Sequence, residues 1–124
     1  MAVKPLVEGI RDLLITAGLT AYIIDAPATG NVVSVVPYAS DIYDDTPVGT
    51  QFFQIRIAAE TFVQSETNAW TAYNALNNKQ PSGVDRDVVG LIRTKQEPFY
   101  DGKSEDGTRY IHIFNIAVSA IRKE

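Results

Sequence analysis

The stretch "QFFQIRIAAETFVQSETNAWTAYNAL", residues 51–76, changes its hydrophobic period half-way along. In its first ten residues Phe53, Ile55, Ile57 and Ala59 alternate with Gln54, Arg56 and Glu60. A period of two is that of a strand with one buried face. The period then lengthens. Ala69, Trp70, Tyr73 and Leu76 recur as an apolar helical stripe, with Ser65 placed to cap and Glu66 in the first turn, where the helix dipole favours an acid. "NNKQPSG" closes the helix, with Pro81 and Gly83 as breakers.

Working outward from this strand and helix, more strands appear on both sides. "AYIIDA" (21–26) and "NVVSVVPYA" (31–39) are short β-branched runs, and Pro37 either ends the second or places it at a sheet edge. Before them, Pro5 opens an amphipathic helix carrying Leu6, Val7, Ile10, Leu13, Leu14 and Ala17, and Gly18 stops it. On the C-terminal side, residues 87–97 read as a strand with an apolar start. After a charged loop from Asp101 to Gly107, Tyr110 to Ile121 reads as a long strand, apolar on both faces and therefore central. The order is α-β-β-β-α-β-β. It predicts one α+β domain over residues 1–124, with two helices packed on a mainly antiparallel sheet of about five strands.

Bulk properties narrow the function. The 124 residues suffice for one domain with its own core. No apolar run approaches the roughly 20 residues that span a membrane, and Lys4 and Pro5 lead into an amphipathic segment unlike a secretory leader. With no cysteine there is neither disulfide nor thiolate chemistry, which fits folding in a reducing cytoplasm. The net charge of −4 lies entirely in residues 1–50, and the remainder balances to zero. Such a chain does not grip nucleic acid by neutralising phosphates, although DNA could slide past it.

Motifs that suggest chemistry dissolve on inspection. Gly102-Lys103-Ser104 resembles the end of a phosphate loop, but Glu97 stands where the first glycine belongs and a strand follows instead of a helix. His112 shares a face with Tyr110 and Phe114 and lacks a nucleophile nearby in sequence, so a packed strand histidine is expected. One histidine without cysteine makes zinc a poor fit. Asp41, Asp44 and Asp45 lack the alternation of a calcium loop and read as solvated charge in the acidic 38–50 stretch. No cofactor and no catalytic set are expected. What stands out is shape: Tyr38, Tyr43, Phe52, Phe99 and Tyr100 sit at loop edges among charges, a composition suited to binding protein.

Three segments taken together resemble the tail-terminator (minor capsid or tail-completion) proteins of long-tailed bacteriophages. These are "VEGIRDLLITAGL", then "FQIRIAAETFVQSETNAWTAYNALNN", then "PFYDGKSEDGTRYIHIFNIAV", and the likeness spans roughly residues 6–121. It rests on the strand that ends in Arg56 and leads through Phe62 into a helix with spaced Ala and Tyr. It rests also on the Pro98…Gly102…Asp106-Gly107…Arg109-Tyr110 hairpin before the last strand. The 38–50 stretch matches no part of that pattern.

The resemblance implies a structural, non-enzymatic job. A homohexameric ring would dock on the last ring of the tail tube, stop its growth, and offer a surface for joining the head. The implied partners are further copies of the chain, the tail tube protein and a head-completion or connector protein. DNA would only pass through a ring whose six copies carry about −24 and repel its phosphates. The implied place is the head–tail junction of a virion assembled in the host cytoplasm, with no membrane. Expected interface residues are Asp41, Asp44, Asp45, Tyr100, Asp101, Asp106 and Arg109, with the three acids of the 38–50 stretch expected to face the channel. The rival readings are another neck connector, a monomeric adaptor, and a small α+β enzyme that uses His112 in a deep pocket.

Overall fold

The computed structural model describes residues 4–42, 48–84, 86–88 and 90–122. Helix α1, Leu6–Thr16, begins directly after Pro5 and buries Leu6, Gly9, Ile10 and Leu14, while Ala17 lies beyond it and is exposed. Its first turn is tied down from outside. Lys4 N–H donates to the Gly83 carbonyl at 3.1 Å, and the Lys4 ammonium pairs with Asp12.

Helix α2 spans Phe62–Leu76 and is capped by Thr61, whose hydroxyl accepts from Gln64 N–H at 3.1 Å. Ser65, expected to cap, sits instead within the helix and is fully buried, because the chain turns helical one residue after Thr61. The buried stripe is Ser65, Ala69, Ala72 and Leu76. Trp70 is 36% exposed and lies edge-on over Tyr73, so it is no core residue. The physical reason is size. A stripe of Ser and Ala lets the helix lie close to the sheet, and an indole in that plane would lift it away.

The strands are β1 Ala21–Ile23, β2 Val32–Ile42, β3 Val48–Ala59, β4 Arg86–Val88, β5 Arg93–Thr94, β6 Phe99–Lys103 and β7 Tyr110–Arg122. They form one sheet in the order β1-β2-β3-β7, and β7's far edge is covered in succession by β6, β5 and β4. The long last strand is central, as its two apolar faces require. Pairing is antiparallel except between β1 and β2, so the sheet is mixed with antiparallel pairs dominant.

The 87–97 segment is two short strands and not one. Between them Ile92 N–H donates to Lys79 O at 2.8 Å, and Asn78 N–H donates to Ile92 O at 3.0 Å. The exit of α2 therefore takes the backbone groups that a continuous strand would offer to β7, and it buries Ile92 completely. Pro37 does not end β2, which runs on to Ile42 past a bulge between Pro37 and Ala39. Val33 N–H points away from β3, to Thr20 O at 2.9 Å. Position 37, four residues on, points the same way, beyond the short β1, where a missing N–H costs nothing.

Both helices cover one face of the sheet. There Val33 and Val35, Phe53, Ile55 and Ile57, and Phe114, Ile116 and Val118 pack with α1 and α2 into the core. Each such aliphatic or aromatic side chain contributes roughly 1.5–3 kcal/mol by leaving water. The opposite face carries Ser34, Gln54, Arg56 and Asn115. Among the described residues it is covered at one end, where Val32, Ala58 and Ile111 lie under Tyr22 and Ala26.

Candidate functional site

His112 lies at the meeting of β7, β6 and α2. It is 3% exposed, its Nδ1 shares a hydrogen bond of 2.7 Å with Ser65 Oγ, and Ser65 is wholly buried. Phe62 and Tyr100 close over the imidazole with ring centroids 5.1 and 5.5 Å away. Burial lowers the His112 pKa from its ordinary value, against a smaller opposing pull from Glu66. A serine beside a histidine has the residue types of a nucleophile and its base, but here no substrate can reach the hydroxyl. The pair is a packed polar contact, the role that the sequence suggests for His112.

The Gly102-Lys103-Ser104 triplet closes β6 and turns into β7, with no helix after it. Ser104 and Gly107 form a tight turn, Gly107 N–H donating to Ser104 O at 2.8 Å with Gly107 at φ 72°, a conformation that glycine adopts without strain. Asp106 Oδ1 accepts from Ser104 Oγ, Thr108 N–H and Thr108 Oγ1 at 2.7, 3.1 and 2.7 Å. These bonds to the charged form hold its carboxyl down at about 2. Asp106 is thus the organiser of the 104–109 tip.

The remaining expected interface residues divide by position. Tyr100 is 44% exposed and Asp101 is exposed, both on β6 beside that tip, and Arg109 is half-buried at its base. Asp41 lies in the last turn-ward residues of β2, with its side chain outside the described part, and Tyr43, Asp44 and Asp45 lie outside the described residues. The register sends the two hairpins to opposite ends of the sheet. Ala59 pairs with Tyr110 at one end, and Ile42 with Gly49 at the other.

Sequence reasoning missed two features. One is the exposed patch of Phe62 (41%), Val63 (72%) and Tyr100 (44%), where Phe62 and Tyr100 pack edge-to-face at 5.3 Å. Its signal was present, since two large apolar residues in the first turn of a helix cannot both face the core. The other is a groove of about 410 Å³ on the helix-free face. Ser34, Gln54 and Arg56 line its floor, Pro27 its wall and Arg109 its end. Arg109 Nη1 donates to Pro27 O at 3.2 Å, while its Nε is buried without a partner. The outward alternation of Arg56 hinted at this face, but nothing in the spacing brings Arg109, 53 positions later, beside it.

Comparison with known proteins decides the lineage. A family model described as bacteriophage tail terminator protein matches residues 11–121. The chain belongs to that family. Among tail terminators, then, the two-helix, seven-strand plan is to be read as a phage tail structural protein. A chain in the solved virion of a native gene transfer agent particle has a similar fold, with a TM-score of 0.75 and 16% identity over 94% of this chain and 95% of that one. A second solved structure reaches a TM-score of 0.53 at 13% identity, over 94% of this chain and 90% of its own. Among curated proteins none matches the chain in sequence.

Proposed function

We propose that this tail terminator forms a homohexameric ring that caps the tail tube, ends its polymerisation and offers the surface on which the head is joined. The observation that carries the reading is the family match over residues 11–121. The geometry fits it. A ring closes when two unlike surfaces of one chain meet around a rotation axis, and this sheet ends in two unlike hairpins. Tyr100, Asp101, Asp106 and Arg109 lie in or beside the β6–β7 hairpin, and the sequence that runs from β2 to β3 holds Asp41, Asp44 and Asp45. These residues are the proposed interface. Its partners are further copies, the tail tube protein and a head-completion or connector protein, placing the chain at the head–tail junction of the virion after assembly in the host cytoplasm. DNA passes through a channel whose ring carries about −24 and does not hold it.

The exposed Phe62, Val63 and Tyr100 patch is the proposed contact with the tube, since a half-exposed aromatic cluster with a polar rim is an anchor for a protein partner. The wild-type chain should appear by electron microscopy as a ring at one end of isolated tails. Its deletion should give tubes of uncontrolled length without heads. Tubes of normal length in the deletion, or the chain at the opposite tip, sink the reading.

A further inference from the structure

Arg56 and Arg109 converge on one groove, and no carboxylate among the described residues forms an ion pair with either. Arg56 is exposed, and Arg109 holds a buried Nε with no acceptor. Asp106 acts on Arg109 only at a distance, while its Oδ1 accepts from Ser104 and Thr108. Nearby on the same face, Asn115 Oδ1 is also buried without a partner, beside Val36, Tyr38 and Gln54. Neither buried atom has surface that an occupant could touch, so what the groove offers a partner is the exposed guanidinium of Arg56, which has no ion-pair partner among the described residues.

We infer that this groove receives the acidic segment that joins β2 to β3, with Asp44 and Asp45, of a second copy of the chain. The inference rests on the ring reading and supplies its contact. The same chain cannot fill its own groove. Arg56 lies seven residues along β3 from Gly49, about 23 Å at 3.3 Å per residue. The pair Ile42–Gly49 lies at the far end of the sheet, and the five residues that join Ile42 to Val48 are too few to reach back over that distance. An acidic segment at one end and a basic groove at the other are complementary only between copies, head to tail, the arrangement that closes rings. Two guanidiniums suit two adjacent carboxylates, because each presents a planar fork of donors.

Charge reversal tests it. Arg56→Glu leaves the fold alone, since the side chain is exposed and has no ion-pair partner among the described residues. Self-association, read by native mass spectrometry in solution and on tube ends, should fall about tenfold or more in Arg56→Glu and in Asp44→Lys/Asp45→Lys. Mixing the two variants should recover association, because the reversed charge of one complements the reversed charge of the other. A chain without cysteine allows a second readout. Gln54→Cys/Asp45→Cys should oxidise to a ladder of linked copies that neither single variant forms.

Rings unchanged in both charge variants, or no ladder beyond the single-cysteine controls, overturn the groove assignment and leave the ring standing. Loss of DNA retention by Arg56→Glu with the ring intact assigns the groove to phosphates and overturns it too. A parent chain that forms no ring even on tubes ends the ring reading and this inference together.

Discussion

Ser65 Oγ lies 2.7 Å from Nδ1 of His112, and neither side chain meets solvent beyond the 3% left to the imidazole. Each satisfies the other across the joint between α2 and β7. Ser65→Ala leaves the buried ring nitrogen without its partner and should cost about 1–3 kcal/mol, measured by urea denaturation at pH 7.5. His112→Phe strands the hydroxyl instead. The double variant strands nothing and should be more stable than the sum of the two single losses predicts, a non-additivity that a double-mutant cycle reads directly.

The same burial gives stability a direction in pH. Desolvation lowers the His112 pKa in the fold below its ordinary 6.5, so below pH 6.5 the unfolded chain takes up the proton more readily than the folded one. Stability from the neutral ring is fully present above that pH and is lost as the pH falls through 6.5 toward the lower folded value. His112→Phe should flatten the slope between pH 7.5 and 5.5. An unchanged slope in that variant refutes the assignment.

Gly9 faces Val84 and Pro81 across the α1 joint. A Cβ built at Gly9 overlaps Val84 Cγ1 and lies 3.1 Å from Pro81 Cβ, and Val84 is itself buried and bridged to Lys4. Gly9→Ala should therefore lose about 1–3 kcal/mol by overpacking, despite alanine's better helix propensity. Gly90→Ala, where nothing lies within 4 Å, is the control and should stay within about 0.5 kcal/mol.

Legibility followed how local the cause was. The alternation in β3 and the two-faced apolarity of β7 are set by burial along a single strand, and both were plain in the sequence. Thr61 outcompeting Ser65 as cap, and Lys79 and Asn78 taking the backbone of Ile92, depend on which of two neighbouring groups closes first in three dimensions. In the stripe of α2, Ala69, Tyr73 and Leu76 pack on the core as read, but Trp70 was placed there in preference to Ala72 because it outweighs alanine in hydrophobicity, whereas close helix–sheet packing selects for smallness. Of the candidate site, Tyr100, Asp101 and Arg109 were legible as charge and aromatics around a turn. The pairing of Arg109 with Arg56 was not, because it requires the register of three strands.

That stripe yields a measurable contrast. Ala72→Leu pushes a larger side chain into a fully buried position and should cost about 1–3 kcal/mol. Trp70→Ala removes an exposed ring that stacks edge-on with Tyr73 at 5.3 Å and should cost about 0.5–1.5 kcal/mol. The reverse order in thermal denaturation would return Trp70 to the core.

Val63 separates docking from folding. It is 72% exposed in the first turn of α2, so Val63→Asp removes little buried surface and places an acid where the helix dipole welcomes it. Stability should stay within about 0.5 kcal/mol of the parent or rise slightly. If the Phe62, Val63 and Tyr100 patch meets the tube, the same change puts a charge at the centre of a desolvated contact, and capping of tubes should fall at least about tenfold. The contact between copies at the Arg56 and Arg109 groove, on the helix-free face of the sheet, should be unaffected. A variant that caps tubes as well as the parent removes this patch from the tube contact, and one that loses rings as well as caps moves it to the contact between copies.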